Sequence, residues 1–216
     1  ERSNLQMIYI HGWYVSFYRR ETKHFYGKVP TILGLDNSWR GDFRQKIGSL
    51  YFKCFFKTSY SHAWVAGTSQ FEFARKLGFS FNSISLGLYC ANTKSFEEAF
   101  LKNCNKKYID YPKKLLFVGR YVNYKQALIL AKIFRQLETE NFTNSWQLEF
   151  IGSGPQLNYL KQFESDTIKI NDFINPKDLP EKFISSGAFC LPSKNEHCGV
   201  VVHEAVCSGL PLLISN

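Results

Sequence analysis

The 216-residue sequence contains no apolar run near the ~18 residues that a membrane-spanning helix requires. It opens without a signal-peptide pattern. Its six cysteines (Cys54, Cys90, Cys104, Cys190, Cys198, Cys207) never fall in C-x-x-C spacing, which argues against a zinc site. Most lie in apolar contexts and read as free buried thiols of a reducing compartment. Asn141-Phe142-Thr143 is a formal glycosylation sequon, but nothing else in the chain points to secretion. Gly152-Ser153-Gly154 lacks the third glycine of a dinucleotide fingerprint, which argues against NAD. No D-x-D pair occurs. There is no initiator methionine: the chain runs from Glu1 to Asn216, directly after a strand-like tail, and both ends are expected to be cuts from something longer.

What is present suits packed cores. Hydrophobic residues make up 44% and aromatics 17%, so the chain is no disordered segment. Its length fits one large or two small domains. The formal net charge is +9 and unevenly spread. Residues 1–110 hold 16 Lys and Arg against 8 Asp and Glu, whereas residues 111–216 hold 11 against 10. A basic excess confined to one half fits nucleic acid, an anionic membrane surface or plain solubility.

Apolar runs alternate with helical spacings along the chain, the pattern of a parallel α/β protein. Residues 6–13 read as a buried strand, 16–25 as a helix and 31–35 as a strand. Residues 43–60 carry apolar side chains at 43, 47, 50, 51, 54 and 55, a helical stripe punctuated by Arg44, Lys46, Lys53 and Lys57. Two readings stand for it: a core helix, with Phe52 and Phe56 on a second contact face, or an interfacial helix resting on anionic lipid. A strand over 62–67, a helix over 69–77 capped by Gly78, and a strand over 83–88 follow. The polar stretch 92–112 reads as a linker, placing a domain boundary near residue 110. A second series then runs through strands at 114–118, 146–151, 167–173 and 188–191. Helices fill 126–138 and 176–185 between them, and Pro155 is expected at the first position of another.

In such a sheet, ligands lie beyond the C-terminal ends of the strands. Three segments arrive there: Gly119-Arg120, Gly152-Ser153-Gly154, and Glu196 through Gly199. Glycines let backbone approach a ligand closely. Arg120 and Lys125 are two cations suited to a diphosphate. Val200-Val201-Val202 reads as strand on propensity, but Gly209, Pro211 and the spacing of Val201, Ala205 and Val202, Val206 favour a buried helix. Its free N–H groups would face the same anion. Glu196 precedes this helix, and Glu204 lies about five residues inside it, roughly 7 Å along. Carboxylates accept well from vicinal hydroxyls. His197 and His203 read as a loop residue and a helix-face residue.

These residues resemble the retaining GT-B glycosyltransferases often grouped as family 4. The shared elements are Gly119-Arg120 followed by Lys125; Gly152-x-Gly154-Pro155; and Pro192-Ser193-x-x-Glu196 with Gly199, Glu204-Ala205, Gly209 and Pro211. The resemblance covers residues 111–216. It implies two incomplete Rossmann-like lobes whose parallel sheets face a central cleft, 1–110 on the acceptor side and 111–216 binding the donor. It implies that Arg120 and Lys125 bind the donor diphosphate, Glu196 the sugar hydroxyls and Glu204 the ribose. Gly119, Gly152 and Gly154 would border the donor, backbone at Cys198, Gly199, Val200 and Val201 would approach it, and the base would lie near Phe173 and Ile174. Cys198 stands where the family usually has Phe, which leaves the donor sugar open. In the first half, Ile10-His11-Gly12-Trp13 resembles the strand ending in a histidine near the reacting centre. Asp36 and Trp39 occupy the place of the usual threonine–histidine pair and are acceptor-side candidates.

The resemblance further implies transfer from a nucleotide diphosphate sugar with retention of configuration, without metal or cofactor, and with His11, Arg120, Lys125 and Glu196 as the catalytic candidates. The acceptor would be a saccharide or lipid-linked, in bacterial-type polysaccharide, lipopolysaccharide or glycolipid biosynthesis, in the cytoplasm or on the inner face of its membrane. No nucleic-acid partner is expected. Two other classes stand beside this one: a catalytically inactive sugar-nucleotide-binding protein, and a basic nucleic-acid-binding module.

Overall fold

The computed structural model describes residues 5–196 and 198–215. They form two compact units that divide between Cys90 and Ala91.

The first unit contains β1 (Ile8–His11), α1 (Ser16–Phe25), β2 (Thr31–Leu35), α2 (Phe43–Phe55), β3 (His62–Val65), α3 (Thr68–Lys76) and β4 (Ile84–Leu86). Its sheet has the order β1-β2-β3-β4, all parallel. The expected buried strand at 6–13 is a shorter edge strand, with half-buried Ile8 and Ile10 alternating with exposed Tyr9 and His11. Successive side chains point to opposite faces, so this alternation means that one face of β1 is partly covered and the other open. Leu33, Leu35, Ala63, Val65, Phe73, Leu77 and Phe79 form the core.

Helix α2 reverses the core-helix reading. Phe43, Ile47, Leu50, Tyr51 and Phe55 are exposed, while Ser49 and Phe52 are buried. Phe52 packs between Trp13, Tyr60 and Phe79, with ring centroids 5.3, 5.9 and 6.1 Å away. Periodicity identifies an apolar stripe but not the side on which the sheet lies. Here the bulk of Phe52 fills the core, and the longer stripe is left outside. The start of α2 is fixed by Asp42, whose carboxylate accepts from the Gln45 N–H at 2.8 Å.

The second unit contains α4 (Lys94–Ile109), β5 (Lys114–Val118), α5 (Ala127–Thr139), β6 (Gln147–Ile151), α6 (Leu157–Lys161), β7 (Ile168–Asn171), α7 (Leu179–Ile184), β8 (Ala188–Leu191), α8 (Val200–Cys207) and β9 (Leu212–Ile214). The sheet is parallel in the order β7-β6-β5-β8-β9. The chain winds outward from β5 through β6 to β7, then returns to β8 on the other side. The switch point therefore lies between β5 and β8. Leu116, Phe117, Leu148, Phe150, Ile168, Phe183 and Phe189 fill the core.

Three expectations are corrected here. The stretch 92–112 is not a linker: sixteen of its residues form α4, which packs on α7 and α8. Phe96 meets Phe183 edge-on at 5.3 Å, and Phe100 lies so close to Gly209 that a Cβ there would sit 2.9 Å from its Cδ2. These contacts place the helix in the second unit and move the boundary from 110 to 90. Pro155 lies two residues before α6 rather than at its first position, while Pro180 occupies the first turn of α7. Val200–Val202 are helical, with Ala205 fully buried, because burial of the following turn outweighs β-branched propensity. Among the described residues only Cys190 is a buried thiol; Cys54 and Cys90 are exposed and the other three half-buried. A local apolar context does not by itself put a side chain under cover.

Candidate functional site

The C-terminal ends of β5, β6 and β8 bring the expected segments of the second unit together. Gly119 and Arg120 follow β5, Gly152–Gly154 follow β6, and Glu196 lies in the loop between β8 and α8. The first two segments are joined by backbone. The Gly119 N–H donates to Ile151 O at 3.0 Å, and Tyr121 N–H to Ser153 O at 2.8 Å. The glycines make this approach possible. A Cβ at Gly152 would strike the Gly119 carbonyl oxygen, and one at Gly154 would lie 2.6 Å from Tyr121 O. The tight neighbour of Gly152 and Gly154 is thus the adjacent loop. Gly119 is different: a Cβ there meets only the Phe117 ring, at 3.6 Å.

Gly119, Arg120, Gly152, Phe173 and Ile174 line one cavity of about 170 Å³, with Leu179 at its side. Arg120 is exposed, and among the described residues no carboxylate pairs with it. Lys125 ends a short 3-10 turn, followed by Gln126 in the left-handed region at φ +59. That conformation is uncommon for a residue with a side chain, and the Gln126 amide secures it by donating to Asn123 O at 2.7 Å.

Lys125 does not stand alone at the sheet edge. Its ammonium pairs with the Glu196 carboxylate, the side chains being 13% and 31% exposed. The Lys194 N–H donates to Tyr124 O at 2.8 Å and ties the same two loops through backbone. Gly199, at φ +64, turns the loop into α8; a Cβ there would lie 3.3 Å from Glu196 Cγ. Cys198, Val200 and Val201 are half-buried around this turn. Burial first, and then the Glu196 charge, push the Cys198 thiol pKa up, so it remains protonated. Glu204 is half-buried within α8, and burial raises its carboxyl pKa. Among the described residues no cation pairs with it. His203 is exposed, and His197 lies outside the described residues.

The first unit has its own cluster. His11 ends β1 and Asp36 follows β2, and the register that pairs His11 with Gly34 puts both at one edge. His11 Nε2 lies 3.4 Å from Asp36 Oδ2, and the Tyr9 hydroxyl lies 3.0 Å from His11 Nδ1. Tyr89 donates to Asp36 Oδ2 at 3.1 Å. The Tyr9 phenol lies across Gly34, in the space that a Cβ there would take. His11, Asp36 and Arg40 line a cavity of about 510 Å³. Trp39 is not among its lining residues; its ring packs on Phe73 at 5.7 Å.

The family described as Glycosyl transferases group 1 matches residues 103–216, just over half of the chain. The chain belongs to the group 1 glycosyl transferases. An uncharacterized glycosyltransferase of Haemophilus influenzae is 32% identical over 108 residues, 48% of this chain and 30% of that protein. An uncharacterized 41.2 kDa protein of the Klebsiella pneumoniae cps region is 25% identical over 157 residues, 70% of this chain and 42% of that protein. The chain therefore spans less than half of either relative. Among solved structures, Anabaena Alr3699/HepE in complex with UDP matches 96% of this chain and 58% of its own at a TM-score of 0.71, with 12% identity. The fold is GT-B, with a Rossmann-like parallel sheet in each unit.

Sequence reasoning missed three features. Tyr121 is fully buried and donates to Asn171 O at 2.7 Å, tying the loop after β5 to the end of β7; burial and the Asp172 charge push its phenol far above the ordinary range. Glu149 is buried in β6 with Lys182 at 2.8 Å, Lys114 at 3.1 Å and the Asn171 amide at 3.0 Å. Burial alone would raise its carboxyl pKa, but these partners outweigh it and hold the pKa below the usual value. The tyrosines flanking His11 are the third. Only alternation along β1 hinted that Tyr9 shares a face with His11.

Proposed function

We propose that the chain carries the donor-binding part of a glycosyltransferase that moves a sugar from a nucleotide diphosphate sugar to an acceptor with retention of configuration. The observation that carries this reading is the meeting of Arg120, the Lys125–Glu196 pair and the start of α8 at the C-terminal edge of one parallel sheet, beside its switch point. In a member of this family, an unpaired guanidinium and a helix start at that edge suit a diphosphate. Glu196 would accept from sugar hydroxyls and Glu204 from the ribose. The cavity beside Phe173 and Ile174 would take the base. The Anabaena neighbour is described with UDP, so uridine is the base to test first.

The reading calls on no protein nucleophile. The reading is front-face attack, with the leaving diphosphate taking up the acceptor proton and no metal or cofactor called on. Arg120, Lys125 and the α8 N–H groups would stabilise the charge that grows on the leaving group, usually the largest single contribution of such a site. His11 with Asp36 would serve the acceptor side; Trp39, packed on Phe73, would act by holding the loop. A saccharide or lipid-linked acceptor in surface polysaccharide or glycolipid synthesis fits the Klebsiella cps-region relative. The exposed apolar face of α2, flanked by the exposed Arg44, Lys46 and Lys53, would rest on an anionic leaflet, and the reading would put the protein at the cytoplasmic side of a membrane. No helix among the described residues is long and apolar enough to cross one.

The test is calorimetric titration of the full-length protein with UDP, GDP and their sugars, followed by assay of sugar and nucleotide release. One base binding in the micromolar range, weakened about tenfold or more by Arg120→Ala, is expected. Binding without any release of nucleotide diphosphate would favour an inactive sugar-nucleotide sensor. Salt-sensitive RNA or DNA binding with no nucleotide affinity would favour the basic nucleic-acid module and overturn the proposal.

A further inference from the structure

A nucleoside diphosphate offers a protein two unlike ends, a flat base and a charged diphosphate, joined by a ribose. On the donor reading, Arg120 meets the diphosphate while Phe173 and Ile174 flank the base. These walls come from different strands: Arg120 follows β5, and Phe173 follows β7. Strand β6 lies between them in the sheet. The spacing of the two walls therefore depends on what bridges β6.

Tyr121 is that bridge. It directly follows Arg120, is fully buried, and stacks on Phe117 with ring centroids 6.3 Å apart. Its ring passes Gly152, where a Cβ would lie 3.4 Å from Tyr121 Cε1, and its hydroxyl donates to Asn171 O at 2.7 Å. Asn171 ends β7, and Phe173 is two residues further on. The Tyr121 backbone is tied as well. Its N–H donates to Ser153 O at 2.8 Å, and its carbonyl accepts from the Gln156 N–H at 3.1 Å. One residue thus joins the three chain segments that border the cavity. Asn171 is held from its other side, since its amide donates to Glu149 at 3.0 Å. Phenylalanine at 121 would keep the ring and its stacking, and Asn171 O would still accept from the Gly152 N–H at 3.2 Å. The hydroxyl is therefore not needed to fill the core, and the carbonyl is not left bare without it.

We propose that Tyr121 is a positioning residue for the donor: its hydroxyl bond to Asn171 O holds the Phe173–Ile174 wall at a fixed distance from Arg120. The proposal rests on the donor reading. Two contacts spaced in advance bind the two ends of one ligand better than two that are brought into place on binding. The bond adds nothing to either contact alone, so its effect depends on both being present.

The experiment is calorimetric titration of the full-length protein with UDP, GDP and ADP. Wild type, Tyr121→Phe, Arg120→Ala, the double variant of these two, and Ile168→Val are compared. Ile168 is fully buried in β7, so its truncation loosens the packing of the same strand without touching the bond. In the wild-type background, Tyr121→Phe should weaken the nucleotide that binds by about tenfold, and Ile168→Val by less than about twofold. In the Arg120→Ala background the loss from Tyr121→Phe should shrink to less than about threefold, because without the cation there is no second contact to space. A Tyr121→Phe loss of the same size in both backgrounds, an unchanged affinity in Tyr121→Phe, or a loss matched by Ile168→Val would each overturn the inference and leave the donor reading standing. So would a Tyr121→Phe protein that fails to fold, since the bond would then belong to the fold rather than to the site. Wild type that binds none of the three diphosphates would overturn the donor reading, and the inference with it.

Discussion

Lys125 and Glu196, 71 residues apart in sequence, are bound to each other and join the segment after β5 to the loop between β8 and α8. If both serve a donor, they form a preset pair. Lys125 is then held at the diphosphate end and Glu196 at the sugar end before any ligand arrives, which lowers the cost of ordering them on binding. Lys125→Met and Glu196→Gln should each reduce turnover by about 100-fold or more. A double-mutant cycle on donor affinity should give a coupling of about 0.5 kcal/mol or more. Strict additivity would mean that the two act separately on the donor and that their contact is incidental.

The glycines at the same edge separate into two kinds. Gly152→Ala and Gly154→Ala place a methyl group against neighbouring backbone, so they should destabilise by about 2 kcal/mol or more in urea unfolding. Gly119→Ala meets only a ring at van der Waals distance, so stability should change by less than about 1 kcal/mol. If ligand oxygens approach the Gly119 backbone, its alanine variant should still lose donor affinity. A stable Gly152→Ala protein would remove the account of why glycine stands there.

The strands at 31–35, 114–118 and 188–191 were legible because each is a short apolar run closed by turn residues, and a parallel sheet buries both faces of such runs. The donor edge was legible for a related reason: its residues follow three strands directly, so naming the strands places the loops. What remained hidden depended on partners distant in sequence. Helix α4 looked like a linker because Asn103, Asn105 and Lys106 dominate its composition, while its contacts rest on Phe96 and Phe100, spaced four apart. In α2 the stripe was visible but its direction was not, since that depends on Trp13, Tyr60 and Phe79 closing around Phe52. The Glu149 cluster draws on β5, β6, β7 and α7, and no local pattern announces such a group.

Glu204 gives a prediction in which stability and function move oppositely. Its carboxyl pKa is raised by burial above the ordinary value of 4.5. Between those two values the folded state holds a proton that the unfolded state has released, so stability falls as pH rises through that window and stays lower above it. Glu204→Gln removes the buried charge. At neutral pH it should be at least as stable as wild type, while donor affinity falls through loss of an ionised acceptor for the ribose. An unchanged affinity and turnover in this variant, or in Glu204→Ala, would sink the ribose role.

Lys107 carries the opposite sign. Its folded pKa of about 8 lies below the ordinary 10.5. Below about 8 the ammonium is charged in both states. Above it the folded state releases the proton first, the unfolded state binds more protons, and stability rises with pH toward 10.5. Lys102, Lys106, Lys177, Asp110 and Glu181 line the groove beside it, between α4 and α7, but burial alone sets the shift. Urea unfolding at pH 7.5 and about 9.5 should show this contribution as a difference between wild type and Lys107→Met. The gap between the two proteins should narrow at the higher pH. A gap independent of pH would mean that the ammonium is not desolvated in the folded protein.

The exposed stripe of α2 yields the last prediction. Phe43, Leu50 and Phe55 face solvent at 77%, 64% and 64% exposure, so changing all three to serine removes little packing. Surface changes of this kind usually alter stability by less than about 0.5 kcal/mol each, and the triple variant should unfold close to wild type. Membrane affinity is another matter. In an interfacial helix each of these side chains would enter the acyl boundary while Arg44, Lys46 and Lys53 meet anionic headgroups. Co-sedimentation should show wild type binding phosphatidylglycerol vesicles and far less binding to phosphatidylcholine alone. The triple variant should bind the anionic vesicles about tenfold or more weakly. Equal binding to both vesicle types, or an unaffected triple variant, would mean that the stripe serves something other than lipid. Charge alone can draw a basic surface to an anionic bilayer; only loss of binding with every cation retained assigns a role to the aromatic face.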